Sequence, residues 1–202
     1  TPKTQSALLE ALAERQVTVD GITHDITRPF MLIATENPIE HEGVFPLPEA
    51  QLDRFMMRIQ LGYPSFENEM SIVDSQRMQH PIETLSAVAS AQEVREAQEV
   101  VKGIFLHHQV QWYMVALVNA TRKHGDAALG ASPRASLDLF RSSQALALLR
   151  SRDYVIPDDV KELGVVVMGH REIVTPAARM KGVDGRQIVE DIVEHVAIPS
   201  PR

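Results

Sequence analysis

The sequence predicts an α/β segment of about 60 residues followed by an all-α bundle. Three observations carry this. Runs with strand-like patterning are confined to the stretch before Pro64. An Asp-Gly pair sits between two alternating runs near the start. Beyond Pro64 the apolar residues recur with helical spacing, and helix-start signals stand in front of them.

Residues 5–15, from Gln5 to Arg15, are rich in strong helix formers, with Leu8, Leu9 and Leu12 on one face. Gln16–Val19 then alternates with a period of two, Asp20-Gly21 follows, and Ile22–Ile26 alternates again. That is a hairpin signal, because both turn residues must adopt positive φ. Phe30–Thr35 is almost continuously apolar, as expected of a strand buried on both faces, and Asn37-Pro38 closes it. A short helix is expected near Glu49–Arg54, and a further strand at Phe55–Leu61.

The second part reads as helices over 67–79, 92–101 and 109–122, the last with Val110, Met114, Leu117 and Val118 on one face. Ser132-Pro133 supplies an N-cap and an N1 proline for a long helix reaching about Ser151, whose apolar arc is expected to contain Leu137, Phe140, Leu146, Leu148 and Leu149. Pro157 opens another helix, with Asp158 and Asp159 suited to its positive end and Val160, Leu163, Val167 and Met168 facing inward. The last helix, 185–196, begins with a capping box of Asp184 and Gln187 and is expected to bury Ile188, Ile192 and Val193 or Val196.

Composition narrows the function classes. The 202 residues contain no cysteine, so disulfide frameworks and thiolate metal sites are excluded. The missing cysteines and the lack of a signal-peptide pattern lead to an expectation of a cytoplasmic location. A formal net charge of −7 and a pI near 5.6 argue against nucleic acid as the main partner. No apolar run approaches the roughly 18 residues of a membrane span. His107-His108 is the one adjacent histidine pair, and neighbouring side chains on a helix diverge, so no metal site is expected.

Four stretches, in order, carry a family resemblance: Lys3-Thr4-Gln5-Ser6-Ala7-Leu8-Leu9-Glu10-Ala11, Ile33-Ala34-Thr35-Glu36-Asn37-Pro38, Pro46-Leu47-Pro48-Glu49-Ala50-Gln51-Leu52-Asp53-Arg54-Phe55, and Ala131-Ser132-Pro133-Arg134-Ala135-Ser136. The chain resembles the MoxR family of AAA+ ATPases over essentially its whole length. The resemblance implies the C-terminal portion of a P-loop α/β core (1–63) and a helical lid (64–202). The sequence contains no G-x-x-x-x-G-K-[ST] phosphate loop, and no apolar strand ending in Asp-Glu precedes Thr1. The chain is therefore expected to be a fragment that begins just after the Walker B carboxylate.

Residue by residue, the resemblance implies that Asn37 is sensor 1, orienting the attacking water. Arg54 is the arginine finger reaching the neighbouring subunit's ATP, with Arg58 as the fallback, and Arg134 is sensor 2 on the γ-phosphate of its own subunit. Phosphoryl transfer needs such positioning and charge, because the protein does little covalent chemistry in it. ATP and Mg2+ are the implied cofactors, held mainly by residues outside this chain. The implied function is ATP hydrolysis coupled to chaperone-like remodelling of partners, von Willebrand factor A domain proteins being typical. The implied assembly is a ring, expected to be a hexamer. Two other readings stand beside this one: a non-enzymatic helical adaptor and a magnesium-chelatase-type motor subunit. The Asp20-Gly21 hairpin fits a pore-facing or presensor hairpin and a plain surface hairpin equally well. Arg171, in His170-Arg171-Glu172, suits either a structural role or a face toward a neighbouring subunit.

Overall fold

The computed structural model describes residues 11–12, 14–36, 47–77 and 79–199. The helix expected over 5–15 falls largely outside them. The hairpin forms as the alternation predicts. β1 (Gln16–Val19) pairs antiparallel with β2 (Ile22–Asp25), and the turn residues Asp20 and Gly21 have φ of 50° and 79°.

The two other expected strands do not form. Phe30–Thr35 carries no strand assignment, and Met31 and Ile33 are 80% and 77% exposed. An apolar run of this kind becomes a strand only beside sheet neighbours that satisfy its backbone, and the described residues supply none to it. Residues 55–61 also run without a ladder. They follow α1 (Glu49–Leu52) and lie along the bundle instead, where the Arg58 N–H donates to the Val166 carbonyl at 2.8 Å.

Next come α2 (Phe66–Ser75), a 3-10 turn at Pro81–Thr84, and α3 (Ala91–Lys102). Ser90 and Glu93 close a reciprocal capping box on α3. The hydrophobic core begins at Ile104. It is built by α4 (His108–Thr121), α5 (Pro133–Leu149), α6 (Pro157–Met168), α7 (Pro176–Met180) and α8 (Gly185–His195). A small ladder of β3 (Ala127–Leu129) and β4 (Ile173–Val174) ties the turn after α4 to the segment after α6. The expected faces of α4, α6 and α8 are buried, with Val110, Met114, Leu117, Val118, Val160, Val167, Met168, Ile188 and Ile192 in the core. Asp184 and Gln187 cap α8 reciprocally. Among the described residues no helix is long and apolar enough to cross a membrane.

The face of α5 differs from expectation. Leu137 and Leu149 are 55% and 82% exposed, and Phe140 and Leu148 are only partly buried. The buried face runs through Ala135, Asp138, Leu139, Ser142, Ser143, Gln144 and Ala147. Two of its polar residues find backbone partners. The Ser142 hydroxyl donates to the Asp138 carbonyl, and the Gln144 amide donates to the Ile104 carbonyl at 2.8 Å.

One buried carboxylate in α6 and the arginines that approach it explain the docking of this helix. Asp159 has no exposed side-chain surface and accepts from Arg150, Arg152 and the Ile156 N–H. Burial pushes its carboxyl up, but the Arg152 guanidinium, the Ile156 N–H and Arg150 outweigh this and hold it below the usual carboxylate range.

Leu139→Ala is expected to lower unfolding stability by about 2–5 kcal/mol, and Leu149→Ala by under about 0.5 kcal/mol. Chemical denaturation of both variants checks this; equal losses would contradict the observed α5 face.

Candidate functional site

The site forms where α1 gives way to the extended segment 53–60 and that segment meets the N-terminus of α5. Ser132 is the α5 N-cap. Its hydroxyl accepts from the Arg134 N–H at 3.2 Å and shares its own proton between the two carboxylate oxygens of Asp53, at 2.9 and 3.0 Å. Arg134 Nη1 donates to Asp53 Oδ2 at 3.1 Å and to the Asp53 carbonyl at 3.3 Å. A cation in the first turn of a helix opposes the helix dipole. Here the Asp53 carboxylate, brought from another element, sits at the same helix end and compensates it.

Below Asp53 lies Arg171, in the 3-10 turn Gly169–Arg171, with no exposed side-chain surface. Its Nη1 donates to Asp53 Oδ1 at 3.1 Å. Its Nη2 donates to Asp138 Oδ2 at 2.6 Å and to the Phe55 carbonyl at 2.7 Å, and its Nε to the Val167 carbonyl at 2.9 Å. One guanidinium fork thus holds a carboxylate from α5, a carboxylate after α1, and three backbone carbonyls, the third that of Met56 at 3.4 Å. Burial raises the Asp138 carboxyl above its ordinary range, and the Arg171 hydrogen bond and charge offset part of that. His170 Nε2 lies 3.1 Å from the Phe55 carbonyl, which fixes Nε2 as the donor, while its Nδ1 is buried and has no partner among the described residues. Burial and then the Arg171 charge lower the His170 pKa, so the ring is neutral.

Glu172 completes the triplet on the other side, beneath the loop that leads into α5. Both carboxylate oxygens are buried without a hydrogen-bond partner among the described residues. The nearby Thr121 hydroxyl is committed elsewhere, donating to the Val118 carbonyl and accepting from the Ala131 N–H. Burial pushes the Glu172 carboxyl up to about 7, against the weaker opposing pull of Thr121, the Ala131 N–H and Arg122. The same loop is pinned by Gly130, where a Cβ would stand 2.5 Å from the Arg122 backbone nitrogen, so only glycine fits.

The sequence-derived candidates fall as follows. Arg134 is at this junction, with 45% of its side chain exposed. Arg54 is exposed in the turn one residue after Asp53. Arg58 is further along the segment, paired with Glu36 at 3.0 Å. Asn37 lies outside the described residues. Asp53 and Arg171 have a weight in the site that sequence reading did not give them. The signal for Asp53 was the cation of Arg134 in the first turn of a helix that carries no acid in that turn.

Comparison with known proteins bears directly on this arrangement. Residues 1–57 match the family described as ATPase family associated with various cellular activities (AAA), and residues 119–192 match the AAA lid domain. The chaperone MoxR1 of Mycobacterium tuberculosis is 41% identical over 206 residues, covering 98% of this chain and 54% of MoxR1. The chain belongs to the MoxR family of AAA+ ATPases. The YeaC protein of Bacillus subtilis is 45% identical over 202 residues, all of this chain and 63% of YeaC. A candidate ATPase of Cytophaga hutchinsonii, known from a crystal structure, superposes with a TM-score of 0.91 at 36% identity, covering 99% of this chain and 63% of that one. The fold class is thus that of an AAA+ α/β core portion followed by a helical lid. The chain spans somewhat over half the length of these MoxR-type relatives. The Asp53–Arg134 junction joins the AAA-matched segment to the lid-matched one.

The raised Glu172 pKa has a pH signature. Between the ordinary 4.5 and about 7 the folded chain keeps a proton that the unfolded chain has lost. This contribution is full below about pH 4.5 and is lost as pH rises through 7. Glu172→Gln is therefore expected to be more stable than the parent at pH 8.5, by about 1–3 kcal/mol, with the gap closing toward pH 5. Denaturation midpoints of the two proteins across that range check it; a gap independent of pH would refute the assignment.

Proposed function

We propose that this chain supplies the water-orienting, finger and lid-sensor residues of a MoxR-type ATPase that remodels partner proteins. In this reading residues 1–63 close the nucleotide-binding core and residues 64–202 form the lid. The sheet neighbours that Phe30–Thr35 needs, the phosphate loop and the Walker B carboxylate belong to further polypeptide of the kind its longer relatives possess.

The observation that carries the reading is the meeting of the two family-matched segments at Asp53. One segment bears Arg54 and the other bears Arg134, and both cations remain exposed. Guanidinium groups suit polyphosphate because they are permanently charged and fork toward paired oxygens. The described residues thus offer cations for phosphate rather than a cage of carboxylates or histidines for a metal. Bound Mg2+ would neutralise charge on the β- and γ-phosphates.

Within that frame the residues divide the work. The Asn37 amide orients the attacking water without adding charge. Arg134 binds the γ-phosphate of its own subunit. Arg54, from the adjacent protomer, stabilises the charge that spreads over the γ-phosphoryl oxygens as the bond to the leaving group opens. A trans finger requires a head-to-tail contact between protomers, which a ring supplies at every interface, in keeping with the hexamer that the family resemblance implies. The name of MoxR1 as a chaperone supports protein clients, with von Willebrand factor A domain proteins as the first class to test. A cytoplasmic site of action suits a cysteine-free ATPase of this kind.

The test is nucleotide binding and turnover by a polypeptide carrying this chain together with its P-loop core. Arg54→Ala is expected to lower kcat by about 10³-fold or more while ATP still binds. Turnover should return when Arg54→Ala protomers are mixed with protomers that lack a working phosphate loop but keep Arg54. A polypeptide that binds no ATP would overturn the ATPase reading in favour of an adaptor. Loss of ATP binding in Arg54→Ala would remove Arg54 from the finger role.

A further inference from the structure

The Asp53 carboxylate touches both the lid's exposed cation and its buried one, and it immediately precedes Arg54. We infer that Asp53 is the positioning residue for Arg134: it aims the lid arginine at the γ-phosphate and links that arginine to the finger-bearing turn. The inference rests on the reading of Arg134 as the lid sensor.

Asp53 is itself fixed from two sides. The Ser132 hydroxyl bonds both of its carboxylate oxygens, and the buried Arg171 fork holds Oδ1. Oδ2 then meets Arg134 Nη1, which also donates to the Asp53 carbonyl. Arg134 is a long side chain with many rotamers, and an unanchored arginine would lose that freedom only on binding phosphate. Here the ordering is done beforehand. The anchoring is also economical of donors. Among the described residues, Nη1 is the only Arg134 side-chain atom in a hydrogen bond, so the Nε and Nη2 donors remain for an incoming anion.

Geometry also limits what else Asp53 can do. Both oxygens of its carboxylate are taken up by Ser132, Arg134 and Arg171, so it is not placed as a general base for water. The structure assigns it to holding a cation in place. Because Arg54 follows it directly, movement of Arg134 onto a phosphate pulls on the same turn that presents the finger to the neighbouring subunit.

The test uses the ATP-hydrolysing protein and compares ATP with ADP, since only ATP carries the γ-phosphate. Dissociation constants for both nucleotides would be measured for the parent, Arg134→Ala, Asp53→Asn and the double variant. Asp53→Asn keeps the size of the side chain and one acceptor oxygen, and its folding is checked by the retained thermal midpoint of the lid; Asp53→Ser serves the same cycle if the amide destabilises it. Arg134→Ala is expected to weaken ATP about tenfold or more with little effect on ADP. Asp53→Asn is expected to weaken ATP selectively by about threefold or more, and the double variant to be no worse than Arg134→Ala alone. An Asp53→Asn protein with the parent ATP/ADP ratio would overturn the inference while leaving the sensor reading intact. So would additive losses in the double variant, which indicate a separate structural role. An Arg134→Ala protein that binds ATP as the parent does would overturn the sensor reading and this inference together.

Discussion

The buried guanidinium of Arg171 is the constraint on which the arrangement depends. A charge without solvent access must be fully paired and hydrogen-bonded, or the element carrying it will not stay folded inward. Arg171 meets the requirement with Asp53, Asp138 and the carbonyls of Phe55 and Val167. Three of those partners lie on different parts of the chain, so satisfying one cation fixes the position of the segment after α1, the second turn of α5 and the end of α6. The segment 53–60 makes no sheet ladder, and it is held to the bundle by this fork, by His170 on the Phe55 carbonyl and by the Arg58–Val166 backbone bond.

From that fixed point the functional geometry follows. Asp53 is anchored by Arg171 and in turn anchors Arg134, and Arg54 stands in the next position along the chain. The triplet His170-Arg171-Glu172 therefore acts as a clasp. Two of its side chains hold the segment 53–56, and the third lies under the loop that leads into α5. The clasp lies where the AAA-matched segment meets the lid-matched one.

Much of this was legible in the sequence, and the reasons are local ones. The hairpin was readable because Asp20-Gly21 demands a backbone that few other pairs tolerate. The starts of α5 and α8 were readable because Ser132-Pro133 and Asp184 with Gln187 satisfy orphan N–H groups within their own helices. The inner faces of α4 and α6 were readable because their apolar residues alone fit a 3.6-residue period. Strands at Phe30–Thr35 and Phe55–Leu61 were not, because strand formation depends on neighbours and the described residues offer none. The α5 face was misread because Asp138 and Gln144 are buried through partners far away in sequence, and Ser142 through carbonyls one turn back in its own helix. For the same reason the weight of Asp53 and the choice between the two readings of Arg171 were not legible: they lie in tertiary pairing across more than 100 residues. Of the family-derived site residues, Arg134 and Arg54 could be located, and Asn37 lies outside the described residues.

The most direct test of the account is hydrogen exchange at the Arg58 amide in the parent chain and in Arg171→Lys, which keeps the charge and removes the fork. The account predicts that the Arg58 amide loses protection in the variant while the amides of Leu117 and Val167 in the bundle keep theirs. An Arg58 amide as protected in Arg171→Lys as in the parent would contradict it, because the segment would then be held to the bundle by something other than the Arg171 fork.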